Sequence, residues 1–251
     1  MKNILFTICG RAGSKGLKSK NCLGLNGKPL VLYSISVIDL LKKSSNYNIT
    51  VALNTDSDRL RDIVNSNYQV VDVPRKLEIA GDKSSKFEVI KDTYSYLLNN
   101  NTIKFDYIID LDITSPLRTL SDLNNMVDAI DSGKYDCVCS VVKSRRNPYF
   151  NMVERLGDNI KLVIPSKFTA RQQTPEVFDL NASMYAFLPD YLVNHDSIFE
   201  GKLGIVEMKD YCVLDIDSLE DYEWMQIIHK SLIEKDIEHT NVYDNFMKIG
   251  Q

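Results

Sequence analysis

The chain has 251 residues, of which 44% are hydrophobic and 25% charged, and its formal net charge is -4. This composition excludes a disordered chain, and the interspersed charges argue against a nucleic-acid-binding or membrane-binding surface. We therefore expect one globular protein whose partners are small molecules.

Apolar, strand-like runs alternate with segments of helical periodicity. The strand-like runs cover residues 4–9, 49–53, 69–73, 106–111, 137–142, 183–188 and 203–208. The helical segments cover residues 30–43, 57–65, 84–99, 120–131 and 218–234. Strands that alternate with helices of this length predict a mainly parallel sheet covered by helices on both faces. The predicted class is α/β, with a single domain over residues 1–251.

Polar residues at the predicted helix starts support these boundaries. Pro29 precedes the first long helix, and Ser57, together with Asp56, can cap the second. Ser121 with Asp122 can open the helix that follows Pro116.

The loop after the first strand is rich in glycine and basic residues. Residues 10–16 read GRAGSKG, and Lys18, Lys20 and Asn21 follow. Glycines permit close backbone approach, while backbone N–H groups and mobile cations bind anions. The spacing matches neither a P-loop nor G-x-G-x-x-G. We expect this loop to hold a nucleotide phosphate; the alternative is a solvated glycine turn.

Three further polar segments fall where a parallel sheet binds ligands, beyond the carboxyl ends of its strands. Residues 54–57 follow the second strand, residues 110–118 follow the fourth, and residues 215–217 precede the last helix. Asp215 and Asp217 alternate, so both carboxylates can face one Mg²⁺ ion. The alternative is that Asp217 and Ser218 only cap the helix.

The alternation of strands and helices breaks down between residues 143 and 181, a segment called the arm below. An excursion of this length indicates a functional flap or an interface arm. Within it, Arg171 and Gln173 precede Asn181 and Tyr185, a set that suits a carboxylate-bearing polyhydroxylated ligand but also fits an ordinary polar loop.

The five cysteines form no C-x-x-C pair, and three of them lie in strand-like runs, which fits a reducing compartment. The first strand-like run begins at residue 4, and no apolar run approaches the ~20 residues of a membrane span. We therefore expect no signal peptide and a cytoplasmic location.

Together these segments resemble the CMP-N-acylneuraminate cytidylyltransferases, also called CMP-sialic acid synthetases. The resemblance rests, in the family's order, on residues 9–16 with Lys20 and Asn21, 54–57, 75–85, 114–118, 171–173 with Asn181 and Tyr185, and 215–217. Residues 110–112, 145–151 and 178–183 are most similar to bacterial CMP-legionaminic acid synthetases. The resemblance implies a Rossmann-like three-layer nucleotidyltransferase fold and a homodimer formed through the arm.

The resemblance also implies an activity: transfer of CMP from CTP to a nine-carbon α-keto acid sugar, with release of pyrophosphate and with Mg²⁺ on Asp215 and Asp217. The implied catalytic residues are Arg11, Lys15, Lys20, Asp215 and Asp217. The implied nucleotide contacts are Gly10, Arg11, Ala12, Ser14, Lys15, Lys20, Asn21, Arg75, Ala80 and Asp82. The implied sugar contacts are Asp112, Arg171, Gln173, Asn181 and Tyr185.

One departure from the family's pattern bears on the acceptor sugar. The sialic-acid enzymes carry Gln-Pro where this chain has Asp112 and Ile113. A carboxylate offers acceptors only, which suits either an amide N–H on the sugar or a second metal contact. The departure favours legionaminic acid or a related nonulosonate. Alternatives are a cytidylyltransferase for N-acetylneuraminate or a Kdo-type acid, and a non-catalytic nucleotide-binding module.

Overall fold

The structure, a computed structural model, describes residues 1–13, 16–81, 84–100 and 103–248. Its strands are β1 (Asn3–Gly10), β2 (Gly24–Leu25), β3 (Lys28–Pro29), β4 (Asn48–Thr55), β5 (Val71–Pro74), β6 (Tyr107–Leu111), β7 (Cys137–Lys143), β8 (Val153–Leu156), β9 (Asn159–Leu162), β10 (Phe178–Phe187) and β11 (Leu203–Glu207). Its α-helices are α1 (Val31–Ser44), α2 (Asp58–Asn65), α3 (Lys86–Asn100), α4 (Leu120–Asp131), α5 (Pro189–Asn194), α6 (Leu219–Lys235) and α7 (Ile237–Asp244).

Seven strands form the central sheet in the order β11-β7-β10-β6-β1-β4-β5. Only β10 runs antiparallel to its neighbours in this sheet, and the other pairings are parallel. The predicted mainly parallel sheet is thus confirmed. The carboxyl ends of β1, β4 and β6 consequently meet at one edge, where the register pairs Gly10 with Thr55 and Thr7 with Asp110.

Alternating residues of β1 face two separate apolar cores, as expected from the two-residue period of a strand. Ile4, Phe6 and Ile8 belong to one core, which includes buried side chains of α1, α2, α4, α6 and α7. Leu5 belongs to the other, which includes buried side chains of α3 and α5. Helices therefore cover both faces, and the predicted three-layer α/β architecture is confirmed.

Capping residues begin most of the predicted helices. Ser57 caps α2, accepting from the backbone N–H of Leu60 at 3.2 Å. Helix α4 begins at Thr119 rather than at the predicted Ser121, because Thr119 and Asp122 form a reciprocal capping box. The prediction identified the acidic half of this box and missed the threonine.

The elements that sequence periodicity missed are short. They comprise the hairpins β2–β3 and β8–β9 and the helices α5 and α7. Each hairpin strand has 2 or 4 residues, α5 has 6 residues and α7 has 8. Such lengths hold too few periods for a recognisable pattern. The arm begins at the end of β7, carries the exposed β8–β9 hairpin and ends within β10.

None of the helices in the described ranges combines the length and apolar character that a bilayer crossing requires. All five cysteines are unpaired thiols.

Candidate active site

A cleft of about 230 Å³ opens at the carboxyl ends of β1, β4 and β6. Its walls are Cys9, Arg11, Lys20, Asn21, Arg75, Ile79, Gly81, Ser84, Lys86, Val89, Asp112 and Thr114. The fold thereby unites three segments that the sequence singled out: the glycine-rich loop, the segment after β5 and the segment after β6. Ser14, Lys15 and Asp82, which were predicted to contact the nucleotide, lie outside the described residues.

Two glycines of the first loop allow close approach of other segments. A Cβ atom on Gly10 would lie 2.5 Å from Leu60 Cδ2 and 2.8 Å from Ile113 Cδ1. A Cβ atom on Gly16 would lie 2.1 Å from the backbone oxygen of Asp217. Because a side chain at position 16 would clash with this oxygen, glycine is needed there for the loop to contact the acidic segment.

Hydrogen bonds within the chain hold the same loop in place. The backbone N–H of Ala12 donates to Asp56 Oδ1 at 2.7 Å, and Asn21 Nδ2 donates to the backbone oxygen of Arg11 at 3.1 Å. The first bond ties the loop to the segment that opens α2. The N–H of Ala12 is therefore already engaged, although a nucleotide contact of this residue stays a prediction.

Lys20 links the loop to the acidic segment. Its Nζ atom donates to Asp217 Oδ1 at 2.6 Å and to the backbone oxygen of Ile216 at 3.0 Å. The side chain of Lys20 is 20% exposed and that of Asp217 is 75% exposed, so the pair lies at the mouth of the cleft. The basic and acidic residues selected from the sequence therefore meet in the folded chain.

Asp215 and Asp217 lie in irregular backbone before α6, not in a strand. Ser218 caps that helix in a capping box with Asp221, so the predicted cap is confirmed for Ser218 and wrong for Asp217. Burial, and then the negative charges of Asp112 and Asp217, raise the pKa of Asp215. Within the described ranges no group of three or more His, Cys, Asp or Glu side chains is arranged to hold a metal by itself.

Arg75 is positioned by a chain of hydrogen bonds that begins in the sheet. Its Nε atom donates to Asn54 Oδ1 at 2.8 Å, and Asn54 Nδ2 donates to Thr93 Oγ1 at 3.0 Å. Asn54 is fully buried at the end of β4. Ala80, a predicted nucleotide contact, ends the short 3-10 turn Leu77–Ile79 between Arg75 and the cleft residue Gly81.

Lys86 is a cleft residue that the sequence analysis missed. Its Nζ atom lies 2.9 Å from Asp110 Oδ2 and also pairs with Asp112 Oδ2. Asp110 is fully buried, and its Oδ1 atom accepts from Thr7 Oγ1 at 2.7 Å. A carboxylate inside a predicted central strand needs a cationic partner, and this need was the signal that could have identified Lys86.

Arg118 fixes the backbone that carries Asp112. It is almost completely buried, and burial lowers the pKa of its guanidinium to about 10. Its Nη2 atom donates to the backbone oxygens of Asp112 and Ser115, and its Nη1 atom donates to Ser34 Oγ at 3.3 Å. These hydrogen bonds therefore fix the backbone of the segment after β6.

The residues predicted for the sugar divide between two places. Asp112 lines the cleft, and Tyr185 lies close to it, with the Lys86 Nζ atom 5.8 Å from the centre of its ring. Arg171 lines a separate cavity of about 280 Å³, which shares no lining residue with the cleft. Within one chain, the structure does not bring Arg171 to the cleft.

Gln173 and Asn181 have their side chains engaged inside the chain. Gln173 Oε1 accepts from the backbone N–H of Thr169 at 3.1 Å. Asn181 is buried at an irregularity of β10, where its Oδ1 atom accepts from Ser140 Oγ at 2.6 Å. Sugar contacts by these two residues stay predictions.

A comparison with known proteins identifies the family. Residues 5–249 match the family described as Cytidylyltransferase. The chain belongs to this family. Cytidylyltransferases are nucleotidyltransferases, so the resemblance drawn from the motifs is confirmed, and the glycine-rich loop belongs to an enzyme.

Two similar relatives extend over the same length as this cytidylyltransferase. Post-translational flagellin modification protein B of Campylobacter coli is 32% identical over 238 residues, which cover 94% of this chain and 100% of the relative. CMP-N,N'-diacetyllegionaminic acid synthase of Campylobacter jejuni shows the same identity and coverage.

A solved structure shares the fold. CMP:2-keto-3-deoxy-manno-octonic acid synthetase complexed with CTP superimposes with a TM-score of 0.64 at 15% identity, covering 92% of this chain and 99% of that one. At this identity the likeness concerns the fold alone, and it confirms the nucleotidyltransferase architecture.

Proposed function

We propose that this cytidylyltransferase transfers CMP from CTP to legionaminic acid or a related nine-carbon α-keto acid sugar and releases pyrophosphate. The observation that carries the proposal is the contact of Lys20 with Asp217, because the cation that we assign to the triphosphate thereby lies beside the acidic segment at the mouth of one cleft. The legionaminic acid synthase among the relatives supports the choice of sugar.

The first loop acts on the triphosphate. Arg11 and Lys20, with the predicted contacts Ser14 and Lys15, bind the β- and γ-phosphates and stabilise the charge that develops on the leaving pyrophosphate. The anomeric hydroxyl of the sugar attacks the α-phosphorus, and the bond to the pyrophosphate oxygen breaks in line with it. Holding both substrates in this geometry is the main catalytic contribution of the chain.

Asp215 and Asp217 are the residues that would hold Mg²⁺. They fit this ion, because a bound cation offsets the burial and the neighbouring negative charges that raise the pKa of Asp215. Two carboxylates suffice for Mg²⁺, which completes its shell with water and phosphate oxygens. When bound, the ion polarises the α-phosphate and lowers the pKa of the attacking hydroxyl.

The arm is assigned to a homodimer interface. Its hairpin β8–β9 exposes apolar side chains, among them Val153 at 61% and Ile160 at 57%. Exposed apolar side chains on a projecting hairpin are typical of a surface that pairs with a second copy. Sedimentation should show a dimer at micromolar concentration, and a monomer alone would contradict the assignment.

A pyrophosphate-release assay tests the proposed function. The protein is supplied with CTP, ATP, GTP or UTP in combination with N,N'-diacetyllegionaminic acid, N-acetylneuraminate or Kdo. We expect release only with CTP, and fastest with the legionaminic acid. Fastest release with N-acetylneuraminate or Kdo would favour the alternative acceptors. Binding of CTP without release for any sugar would indicate a non-catalytic module.

A further inference from the structure

We infer that Lys86 is a specificity residue that donates a hydrogen bond to an uncharged oxygen of the acceptor sugar, a hydroxyl or an acylamino carbonyl. This inference rests on the proposed function and assigns a role to a residue that no motif indicated. It depends on three properties of the group formed by Lys86, Asp110 and Asp112, called the lysine clamp below: its geometry, its charge and its position.

The geometry holds the lysine in one place. The ammonium has three N–H donors; one is donated to Asp112 Oδ2, and Asp110 Oδ2 lies 2.9 Å from Nζ as an ion-pair partner. Each carboxylate is itself fixed, since Asp110 Oδ1 accepts from Thr7 Oγ1 and Asp112 Oδ1 accepts from the N–H and hydroxyl of Thr114, at 2.9 and 2.8 Å. One donor of Lys86 remains for a ligand.

The charge of the clamp selects against anions. One ammonium and two carboxylates sum to -1, so the clamp repels the phosphates of CTP and the carboxylate of the sugar. Burial opposes charge on Lys86, but the two aspartates raise its pKa above the ordinary value; burial likewise opposes charge on Asp112, and Lys86 lowers the pKa of that carboxyl. Lys86 and Asp112 therefore stay ionised at neutral pH, and the clamp suits an uncharged polar group.

The position favours the sugar over the nucleotide. Lys86 and Asp112 both line the cleft, and the side chain of Lys86 is 28% exposed. Thr114 connects Asp112 to the acidic segment, since its hydroxyl donates to Asp112 Oδ1 at 2.8 Å and its backbone oxygen accepts from the N–H of Ile216 at 3.1 Å. The clamp thus stands beside the acidic segment, where the proposed reaction brings the sugar hydroxyl to the α-phosphate. The phosphates of CTP are assigned instead to Arg11 and Lys20.

The test compares three variants with the wild type. Lys86→Met removes the donor, Lys86→Arg retains a cationic donor, and Lys91→Met is the control. Lys91 lies on the same helix, is 30% exposed and forms an ion pair with Asp196 at 3.0 Å, outside the cleft. The measurements are the KM for N,N'-diacetyllegionaminic acid, kcat, and the Kd for CTP by calorimetry in the absence of sugar.

We expect Lys86→Met to raise the KM for the sugar at least tenfold while the Kd for CTP changes less than twofold. Lys86→Arg should recover most of the loss, and Lys91→Met should change neither constant. An unchanged KM for the sugar, a fall in kcat alone, or an equal loss of CTP affinity would each overturn the inference.

Two further measurements keep the test decisive. If Lys86→Met does not fold, Lys86→Met combined with Asp110→Asn keeps the formal charge of the clamp at -1, leaves Asp112 unchanged, and should show the same rise in KM. With N-acetylneuraminate as a second acceptor, a loss confined to the diacetylated sugar assigns the contact to the acylamino carbonyl that N-acetylneuraminate lacks, and equal losses assign it to an oxygen that both sugars carry. Failure of the wild type to release pyrophosphate with any sugar would instead reject the proposed function.

Discussion

Lys20 and Asp217 are 197 positions apart in the chain, yet Lys20 Nζ lies 2.6 Å from Asp217 Oδ1. The contact is possible because Gly16 lets the first loop pass against the backbone of Asp217. A cation that follows β1 and an anion that precedes α6 thus meet at the mouth of the cleft, where we propose that a triphosphate and a divalent cation are held together.

Replacing Lys20 tests the role of this cation. Hydrogen bonds to charged groups contribute about 1.5–3 kcal/mol, so Lys20→Ala should lower kcat about 10- to 100-fold. The loss of a partly exposed ion pair should cost less than about 1 kcal/mol of unfolding free energy. Pyrophosphate release and urea denaturation give the two values.

Lys43→Ala is the matched control, because Lys43 also forms an ion pair at 2.6 Å, with Asp39 near the end of α1. Its kcat should equal that of the wild type. Wild-type turnover in Lys20→Ala would remove Lys20 from the catalytic residues.

The response to magnesium tests Asp217. Asp217→Asn removes a charge and leaves a weaker oxygen ligand, so pyrophosphate release should be low and should no longer rise over the MgCl₂ range that saturates the wild type. The fold should persist, since the side chain is 75% exposed. Asp196→Asn, which alters an aspartate 90% exposed in another ion pair, should respond as the wild type does. An unaltered magnesium curve for Asp217→Asn would exclude Asp217 as a ligand.

Replacing Ser218 tests helix capping separately from the reaction. Ser218 Oγ accepts from the N–H of Asp221 at 3.2 Å, and Asp221 Oδ2 accepts from the N–H of Ser218 at 2.8 Å. Ser218→Ala should therefore lower the unfolding free energy by about 1 kcal/mol and leave kcat within about twofold, and Ser218→Thr should restore the stability. Urea denaturation and turnover are the measurements. A large loss of kcat in a fully folded Ser218→Ala protein would show that the cap also serves the reaction.

The buried imidazole of His229 should make the unfolding free energy depend on pH. Burial lowers its pKa to about 4, with a smaller effect from His239. Asn26 Nδ2 lies 2.8 Å from His229 Nδ1, so this nitrogen accepts and is unprotonated. Between pH 6.5 and 4 the unfolded chain binds a proton at this position and the folded chain does not. The unfolding free energy should therefore decrease as the pH is lowered from 6.5 to 4. This group contributes at most about 3 kcal/mol to the decrease.

The variant His229→Gln isolates that contribution. It should be less stable than the wild type at pH 7.5, and the difference in unfolding free energy should shrink as the pH falls towards 4. Urea denaturation at four pH values measures the difference. A constant difference across this range would show that His229 is not held neutral by its burial.

Several parts of the site were predictable because their signals are local. The glycine-rich loop after β1 is recognisable from its composition, since few other roles explain glycines interleaved with cations directly after a buried strand. The spacing of Asp215 and Asp217 is equally local, and their joint role in holding Mg²⁺ stays a prediction. The separation of Arg171 from the cleft could not be predicted from the sequence. The distance between the arm and the sheet edge depends on how the whole segment from β7 to β10 folds.

By itself, the sequence determined the α/β class, the places of the principal strands and helices, and the glycine-rich loop after β1, because two- and 3.6-residue periods, caps and glycine turns are properties of neighbouring residues. Only the tertiary structure decided that β10 runs antiparallel between β6 and β7, that Asp221 completes the capping box of α6, and that Lys86 joins Asp110 and Asp112. Strand order and buried ion pairs depend on contacts between residues far apart in the chain, and those contacts are selected by the packing of the complete core.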